Sequence, residues 1–314
     1  MEVFILLAFG LTTVAIVAFF LKPYWDWRCS CSKPLESQIS RTSFQCSPGE
    51  LVPAPWKAPE VVLSVVVPAY NEEYRLPQML DETLAYLESR GGATSFSYEV
   101  IVVDDGSSDG TYAAALSTSR DASLQHGEVR IIKLLVNRGK GFAVRAGMLA
   151  ARGQLLLMAD ADGATSIRDL ERLERALGPK EDAPQIAFGS RHHLREEALT
   201  KRAWYRNVLM VGFHFAVWIL VGGSVKDTQC GFKLFKANAA KQIFASLHLY
   251  RWAFDIEVLI LARILGKSVT EVPVTWVEMP GSKLNLLTGA VTMLRDMALV
   301  QVLYAVGIWQ PSVL

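Results

Sequence analysis

Asp160-Ala161-Asp162 closes the apolar run Leu155-Leu156-Leu157-Met158, so a buried strand delivers two carboxylates to the lip of a sheet. Two Asp side chains two apart on an extended chain point the same way. Hard oxygen ligands so placed suit Mg²⁺ or Mn²⁺ held against phosphate groups. The competing reading is a helix cap, with Asp162 preceding a helix that begins near Ser166. A second acidic strand end weighs for the metal. Tyr98 to Val103 reads as a buried parallel strand and runs into Asp104-Asp105-Gly106-Ser107-Ser108-Asp109-Gly110-Thr111. Ligands of open α/β sheets bind beyond the carboxyl ends of the strands, so two acidic termini point to one site more readily than to two unrelated caps. An earlier run, Val61 to Val67, ends in Pro68-Ala69-Tyr70-Asn71-Glu72-Glu73, where proline is expected to stop the strand and open a loop. Tyr70 offers an aromatic face to a base, and Glu72 an acceptor for ribose or base donors; both residues also suit a solvent-facing loop.

Helix-like stretches separate these strands: Leu76 to Glu88, Gly141 to Ala151, and Ile167 to Leu177 with apolar spacing at Leu170, Leu173 and Leu177. Val129 to Leu135 and Gln185 to Ser190 add two strands. The alternation predicts βαβ units, hence an α/β fold with a mostly parallel sheet and helices on both faces. No Gly-x-Gly-x-x-Gly follows the first strand and no Gly-x-x-x-x-Gly-Lys-Ser/Thr occurs, which removes the main support for dinucleotide and P-loop readings. Asn137-Arg138-Gly139-Lys140-Gly141 is a short basic glycine turn at a helix start, either an anion cradle or an ordinary helix entry.

These motifs resemble a family. Val-Val-Pro-Ala-Tyr-Asn-Glu at 66–72, Val-Val-Asp-Asp-Gly-Ser-Ser-Asp-Gly-Thr at 102–111 and Asp-Ala-Asp at 160–162, in this order, look like the inverting family-two glycosyltransferases with the Rossmann-like GT-A fold. Gly189-Ser190-Arg191, Asp227 to Lys233, Val136 to Ala143 and Asp160 to Thr165 look most like the eukaryotic dolichyl-phosphate β-glucosyltransferases. The dolichyl-phosphate mannosyltransferases, which use GDP-mannose, are the near competitor. The resemblance implies that Pro68, Tyr70, Glu72, Asp104 and Asp105 hold uridine, and that Asp160 and Asp162 position Mg²⁺ or Mn²⁺ on the diphosphate of UDP-glucose. Lys140 joins the donor site. The mannosyl relatives often carry Gln two residues after the second Asp as a further metal contact; here Ala164 stands in its place, and water or substrate oxygens fill that position.

The resemblance further implies transfer of glucose to dolichyl phosphate, giving dolichyl β-D-glucosyl phosphate for N-glycan precursor assembly. Arg191 and Arg206 match family arginines taken to bind the lipid phosphate. Ser282 and Lys283 lie in a loop expected near the donor diphosphate. A phosphate monoester is already ionised near neutral pH, its second pKa being about 6, so the nucleophile needs no general base. Asp255 and Glu257 fall where many members of the family place such a base. Asp255 is instead expected to contact glucose hydroxyls or anchor a basic side chain, with a structural cap as the alternative.

Length and composition agree with a membrane-tethered enzyme: 314 residues, of which 51% are hydrophobic. Val3 to Leu21 carries no charge and matches the ~20 residues of a bilayer crossing. It is longer than the usual ~7 to 15-residue core of a signal peptide, has no basic flank before it and no small-x-small site after it, which favours an uncleaved anchor. Lys22, Arg28, Lys33 and Arg41 follow the span, so the positive-inside bias puts the body in the cytosol, at the endoplasmic reticulum membrane if the resemblance holds. Cys29, Cys31, Cys46 and Cys230 fit a reducing compartment. A net charge of +1 argues against a nucleic-acid partner. Two further apolar stretches, 207–223 and 284–309, are expected to lie along the membrane, with crossing as the alternative. The basic residues around Arg191 and Arg206 form a cationic collar there. The expected division is a transmembrane anchor at 1–22, a linker at 23–60, a nucleotide-sugar half at 61–200, and an acceptor and membrane-interface region at 201–314. From another class, a catalytically silent membrane adaptor that keeps a nucleotide pocket stays open; oligomeric state is not legible.

Overall fold

Runs of Val and Ile, with Leu and Met in one strand, build the centre of the molecule. Val61–Ala69 (β1), Tyr98–Asp104 (β2) and Gly153–Ala159 (β4) are buried along most of their length, as parallel strands covered on both faces must be. The computed structural model describes residues 17–25, 28, 59–91, 96–179, 183–194, 225–279 and 286–311. Gly127–Lys133 (β3), Ile186–Ser190 (β5), Phe232–Lys236 (β6) and Val269–Pro273 (β7) complete a sheet of order β3-β2-β1-β4-β6-β5-β7 among the described residues. Only β6 runs against the rest: it pairs antiparallel with β4 and β5, whereas the other pairings are parallel.

The helices Leu76–Gly91 (α1), Thr111–Asp121 (α2) and Leu170–Leu177 (α4) cover one face. Lys140–Ala150 (α3), Ala237–Ala245 (α5), Phe254–Ile264 (α6) and Leu286–Ala305 (α7) belong to the other. Alternation along β1 decides which side chain goes where: Leu63, Val65 and Val67 join the first layer and Val66 the second. Gly147 lets α3 sit directly on the sheet, because a Cβ there would run into Val66 and Val103.

One expectation needs correction. Pro68 does not end β1, which continues to Ala69 and keeps register with β2 at Pro68↔Val103 and Ala69↔Asp104. The ladder to β4 stops at Val66↔Met158, so the missing N–H of the proline removes no bond on that side. Of the stretch 284–309, residues from 286 on are described, and one side of that helix packs on the body. Met297, Leu299, Val300 and Leu303 of α7, together with Trp309, are buried against α3, α5 and α6. Arg295 and Asp296 pair with each other, at 2.6 Å, which lets both charges sit in an apolar helix.

Among the described residues no helix is long and apolar enough to cross a membrane. Of the expected span, residues 17–21 are helical, continuing to 25; the rest, like 207–223, Arg206, Ser282, Lys283, Cys29, Cys31 and Cys46, lies outside the described residues.

Candidate active site

Strand direction gathers the acids. The carboxyl ends of β1, β2 and β4 open onto one lip of the sheet. Because β6 is antiparallel, its amino end arrives there too, with Phe232 opposite Ala159. The carboxyl ends of β5 and β7 bring Arg191 and Trp276 to the same edge.

The first two loops are laced together. Asn71 takes the left-handed conformation, φ 55°, which costs energy for a residue with a side chain. Its N–H donates to Ser107 Oγ (2.9 Å) and its Oδ1 accepts from the Ser108 N–H (2.9 Å). The Glu72 N–H donates to Thr111 Oγ1 (2.7 Å), and Glu73 accepts from the Gly110 N–H (2.6 Å). Tyr70, 39% exposed, stands at the mouth of this lattice. Both oxygens of Glu72 accept from Arg75, at 2.7 and 2.6 Å, so this acid arrives already paired.

The paired Asp104 and Asp105 differ in what they hold. Asp105 accepts from the backbone N–H groups of Arg138 and Gly139, both at 2.8 Å. The basic glycine turn is therefore clamped by an internal carboxylate, and those two N–H groups are spent on it instead of on a ligand. Burial pushes the Asp105 pKa up to about 6, against the pull of the two N–H groups, and the neighbouring Asp104 adds to the rise. Asp104 is 1% exposed and accepts from the Ser107 N–H through Oδ1 (2.9 Å), while its Oδ2 has no hydrogen-bond partner among the described residues. A buried acceptor left open at a strand end is expensive unless a ligand completes it.

At the end of β4, Asp160 and Asp162 lie with Lys140. Lys140 Nζ is 2.6 Å from Asp160 Oδ1. Burial opposes the charge on Lys140, but Asp160, Asp255 and Asp162 together outweigh it and raise the lysine pKa. Asp162 Oδ1 accepts from the Ala164 N–H (3.0 Å), and Ser166, not Asp162, precedes the helical turn Ile167–Asp169, which sets the cap reading aside. Gly231 makes room here, since a Cβ on it would displace the Asp160 carboxylate. Among the described residues no group of three or more His, Cys, Asp or Glu side chains forms a complete metal cage. Two carboxylates fit a Mg²⁺ or Mn²⁺ that takes its other ligands from phosphate and water.

Behind this row, Asp255 at the start of α6 is buried and accepts from Lys233 Nζ at 2.6 Å. Lys233 is itself 1% exposed and also donates to the Cys230 carbonyl (2.6 Å). Asp255 thus anchors a basic side chain, one of the two roles expected of it. Burial raises its pKa, and Lys233 and Lys140 pull it down. Glu257 turns away from the lip and accepts from His248, Leu249 and Tyr304. Arg191 is held by Asp227 through two guanidinium bonds of 2.8 and 2.9 Å, with its backbone N–H on the same carboxylate (2.9 Å), and lies 5.4 Å from the centre of the Trp276 ring. Burial opposes its charge but Asp227 more than compensates, so the pKa rises.

Of the residues expected from sequence, Pro68, Tyr70, Glu72, Asp104, Asp105, Lys140, Asp160, Asp162, Arg191 and Asp255 share this lip. Arg206, Ser282 and Lys283 lie outside the described residues. Sequence reasoning missed Arg75, Asp227 and Lys233. Asp227 and Lys233 lie inside the motif at 227–233, but nothing in one dimension pairs them with their partners.

Residues 64–244 match the family described as Glycosyl transferase family 2. A dolichyl-phosphate beta-glucosyltransferase of Drosophila melanogaster is 51% identical over 261 residues, covering 81% of this chain and 78% of the relative. The Homo sapiens protein of that name is 46% identical over 265 residues, covering 83% and 81%. That of Saccharomyces cerevisiae is 41% identical over 263 residues, covering 81% and 78%. Among solved structures, glucosyl-3-phosphoglycerate synthase of Mycobacterium tuberculosis in complex with UDP superposes with a TM-score of 0.54 at 19% identity, covering 79% of this chain and 81% of the other. The same enzyme with Mn²⁺, UDP-glucose and phosphoglyceric acid gives 0.53 at 19% identity, covering 79% and 80%. These structures share the GT-A-like α/β fold. The chain belongs to glycosyl transferase family 2 and, within it, to the dolichyl-phosphate β-glucosyltransferases.

Proposed function

We propose that the chain transfers glucose from UDP-glucose to dolichyl phosphate with inversion, giving the β-linked lipid phosphate sugar of N-glycan precursor assembly. The observation that carries this reading is the meeting, at one lip, of an open buried acceptor on Asp104 with the paired carboxylates Asp160 and Asp162. Tyr70 supplies the face for uracil and Asp104 Oδ2 the acceptor for a base or ribose donor; Pro68 and Glu72 shape the pocket wall. Asp105 acts one step removed, by holding the turn that carries Lys140. Asp160 and Asp162 would hold a divalent cation, Mg²⁺ or Mn²⁺, which would offset the negative charge of the leaving diphosphate. The Mycobacterium neighbour was solved with Mn²⁺ and UDP-glucose together, which supports the pairing of metal and donor.

The residues then divide the work. Lys140 places a positive charge beside the departing diphosphate. Arg191, fixed by Asp227 and backed by Trp276, orients the lipid phosphate; Arg206 is assigned to that phosphate, and Ser282 and Lys283 to the donor diphosphate, from the sequence resemblance alone. The phosphate oxygen bonds to the anomeric carbon as the bond to UDP breaks, and that electron pair leaves on the β-phosphate. No proton moves in this step, so no general base is needed, and Asp255, bound to Lys233, is not free to serve as one.

Exposed apolar side chains support a membrane-facing side: Val17, Phe19, Phe20, Leu21 and Trp25 on the amino-terminal helical segment, and Val302, Val306 and Ile308 at the other end of the chain. Arg295 ties the two together by donating to the Phe19 carbonyl (3.2 Å). We assign the chain to the endoplasmic reticulum membrane, with an amino-terminal anchor and the catalytic body in the cytosol. The test is transfer of labelled sugar to a polyprenyl phosphate from UDP-glucose and from GDP-mannose. Transfer from UDP-glucose alone is expected; transfer from GDP-mannose would make it a mannosyltransferase, and transfer from neither, with nucleotide still bound, an adaptor.

A further inference from the structure

The indole of Trp252 stands at the lip with no role in the chemistry above. It is 45% exposed, and the residues that flank its turn are anchored. Ala253 and Phe254 after it are buried. The Tyr250 carbonyl accepts from the Phe142 N–H (3.1 Å), and the Phe142 and Tyr250 rings meet edge to face at 5.0 Å. Gly139 and Gly141 leave room for this strand of loop, since a Cβ on either would strike the Tyr250 or Leu249 carbonyl. A large aromatic surface thus stands half in water on a turn braced against α3, and covering it with a ligand would gain free energy. Its position says what that is. The ring centre lies 5.6 Å from Lys140 Nζ, which is itself 2.6 Å from Asp160 Oδ1. A nucleotide diphosphate lodged on Lys140 and Asp160 brings its sugar within reach of the indole.

We propose that Trp252 is the platform on which the donor's hexose ring rests. Glucose suits such a surface, because its equatorial hydroxyls leave flat C–H faces that pack on an aromatic ring. An axial hydroxyl on the packed face disrupts that contact. This inference rests on the donor being a UDP-hexose bound at the Asp160 end of the cleft.

Titration calorimetry with UDP and with UDP-glucose, in Mn²⁺, on the full chain and on Trp252→Ala separates the possibilities. The platform predicts that Trp252→Ala weakens UDP-glucose binding by about tenfold and leaves UDP binding unchanged, with Trp252→Phe restoring most of the loss. Equal weakening of both ligands would mean a structural role and overturn the proposal. So would unchanged binding of both with a raised KM for polyprenyl phosphate, which would make Trp252 an acceptor contact. Should Trp252→Ala not fold, Trp252→Leu against Trp252→Phe asks the same question, and equal affinities for UDP-glucose would overturn the platform. Failure of the unaltered chain to bind UDP-glucose would sink the donor assignment itself and the platform with it.

Discussion

The two ends of β2 each bury a carboxylate and treat it in opposite ways. At the amino end, Glu99 is 0% exposed and fully engaged: it accepts from Ser64 Oγ (2.6 Å), Arg130 Nη1 (2.8 Å), and the Arg152 N–H, Nε and Nη2 (2.6, 3.1 and 2.9 Å). Ser64 Oγ in turn accepts from the Gly153 N–H at 2.8 Å, which ties β4 to the same knot. At the carboxyl end, Asp104 keeps one oxygen open, while on the same lip, after β4, Asp160 faces a lysine across an ion pair and burial raises the pKa of Asp162. A closed network rigidifies the sheet and has nothing left to offer a ligand; an open one is costly to keep and is the mark of a site. Both ends are acidic and buried. What distinguishes them is whether the chain itself satisfies the charge.

The largest effects should separate these two ends. Asp160→Ala or Asp162→Ala is expected to lower the rate of glucose transfer roughly a thousandfold, since several kcal/mol of charge stabilisation on the leaving diphosphate is lost, while the melting temperature barely moves. Glu99→Ala should do the reverse. It strands the Arg130 guanidinium in the core and costs about 3 to 5 kcal/mol in denaturant unfolding, and the protein that remains folded turns over at the normal rate. If the two variants behaved alike, the contrast between the ends would collapse.

A smaller and sharper effect is expected at Asp104. Asp104→Asn preserves shape and removes the charge, so UDP affinity should fall about tenfold to a hundredfold with stability unchanged or improved, as measured by calorimetry and thermal melts. An unaltered UDP affinity would mean that the open oxygen is not the nucleotide's partner.

The smallest effect concerns pH. With its pKa at about 6, against an ordinary 3.8, Asp105 binds its proton more tightly in the folded chain than in the unfolded one. On this account stability declines as pH rises from 3.8 to about 6, the direction in which the folded state is forced to give up that proton. The clamp on Arg138 and Gly139 needs the carboxylate, so UDP affinity should move the other way and drop severalfold as pH falls through 6. Asp105→Asn should flatten both trends; a profile identical to that of the unaltered chain would remove Asp105 from the donor turn.

Much of this was legible in the chain. The mainly apolar runs of β1, β2 and β4, each leading towards acids, announced a parallel sheet with its site at the carboxyl ends. Other parts hid for physical reasons. β6, Phe-Lys-Leu-Phe-Lys, carries a lysine that reads as solvent-facing, yet Lys233 is in the core because Asp255, from a helix that follows, neutralises it. β7 is half-exposed and holds Glu271, whose carboxylate accepts from the Lys226 and Asp227 N–H groups. α2, rich in Ala, Ser and Thr, has too weak an apolar stripe to announce itself. For β6 and β7 the deciding partner is remote in sequence, and a single chain gives no sign of which charges will meet. Pro68 erred in the other direction, since a local rule about proline yielded to its place beyond the end of the β4 ladder.

The central claim is that Asp160 and Asp162 hold a cation against the diphosphate of the donor. Calorimetric titration of UDP into the full chain, with and without Mn²⁺, and again into Asp162→Ala, addresses it without reference to turnover. Mn²⁺ should tighten UDP binding to the unaltered chain by at least an order of magnitude and do nothing for a folded Asp162→Ala. The same Mn²⁺ enhancement in both proteins, or in neither, would contradict it.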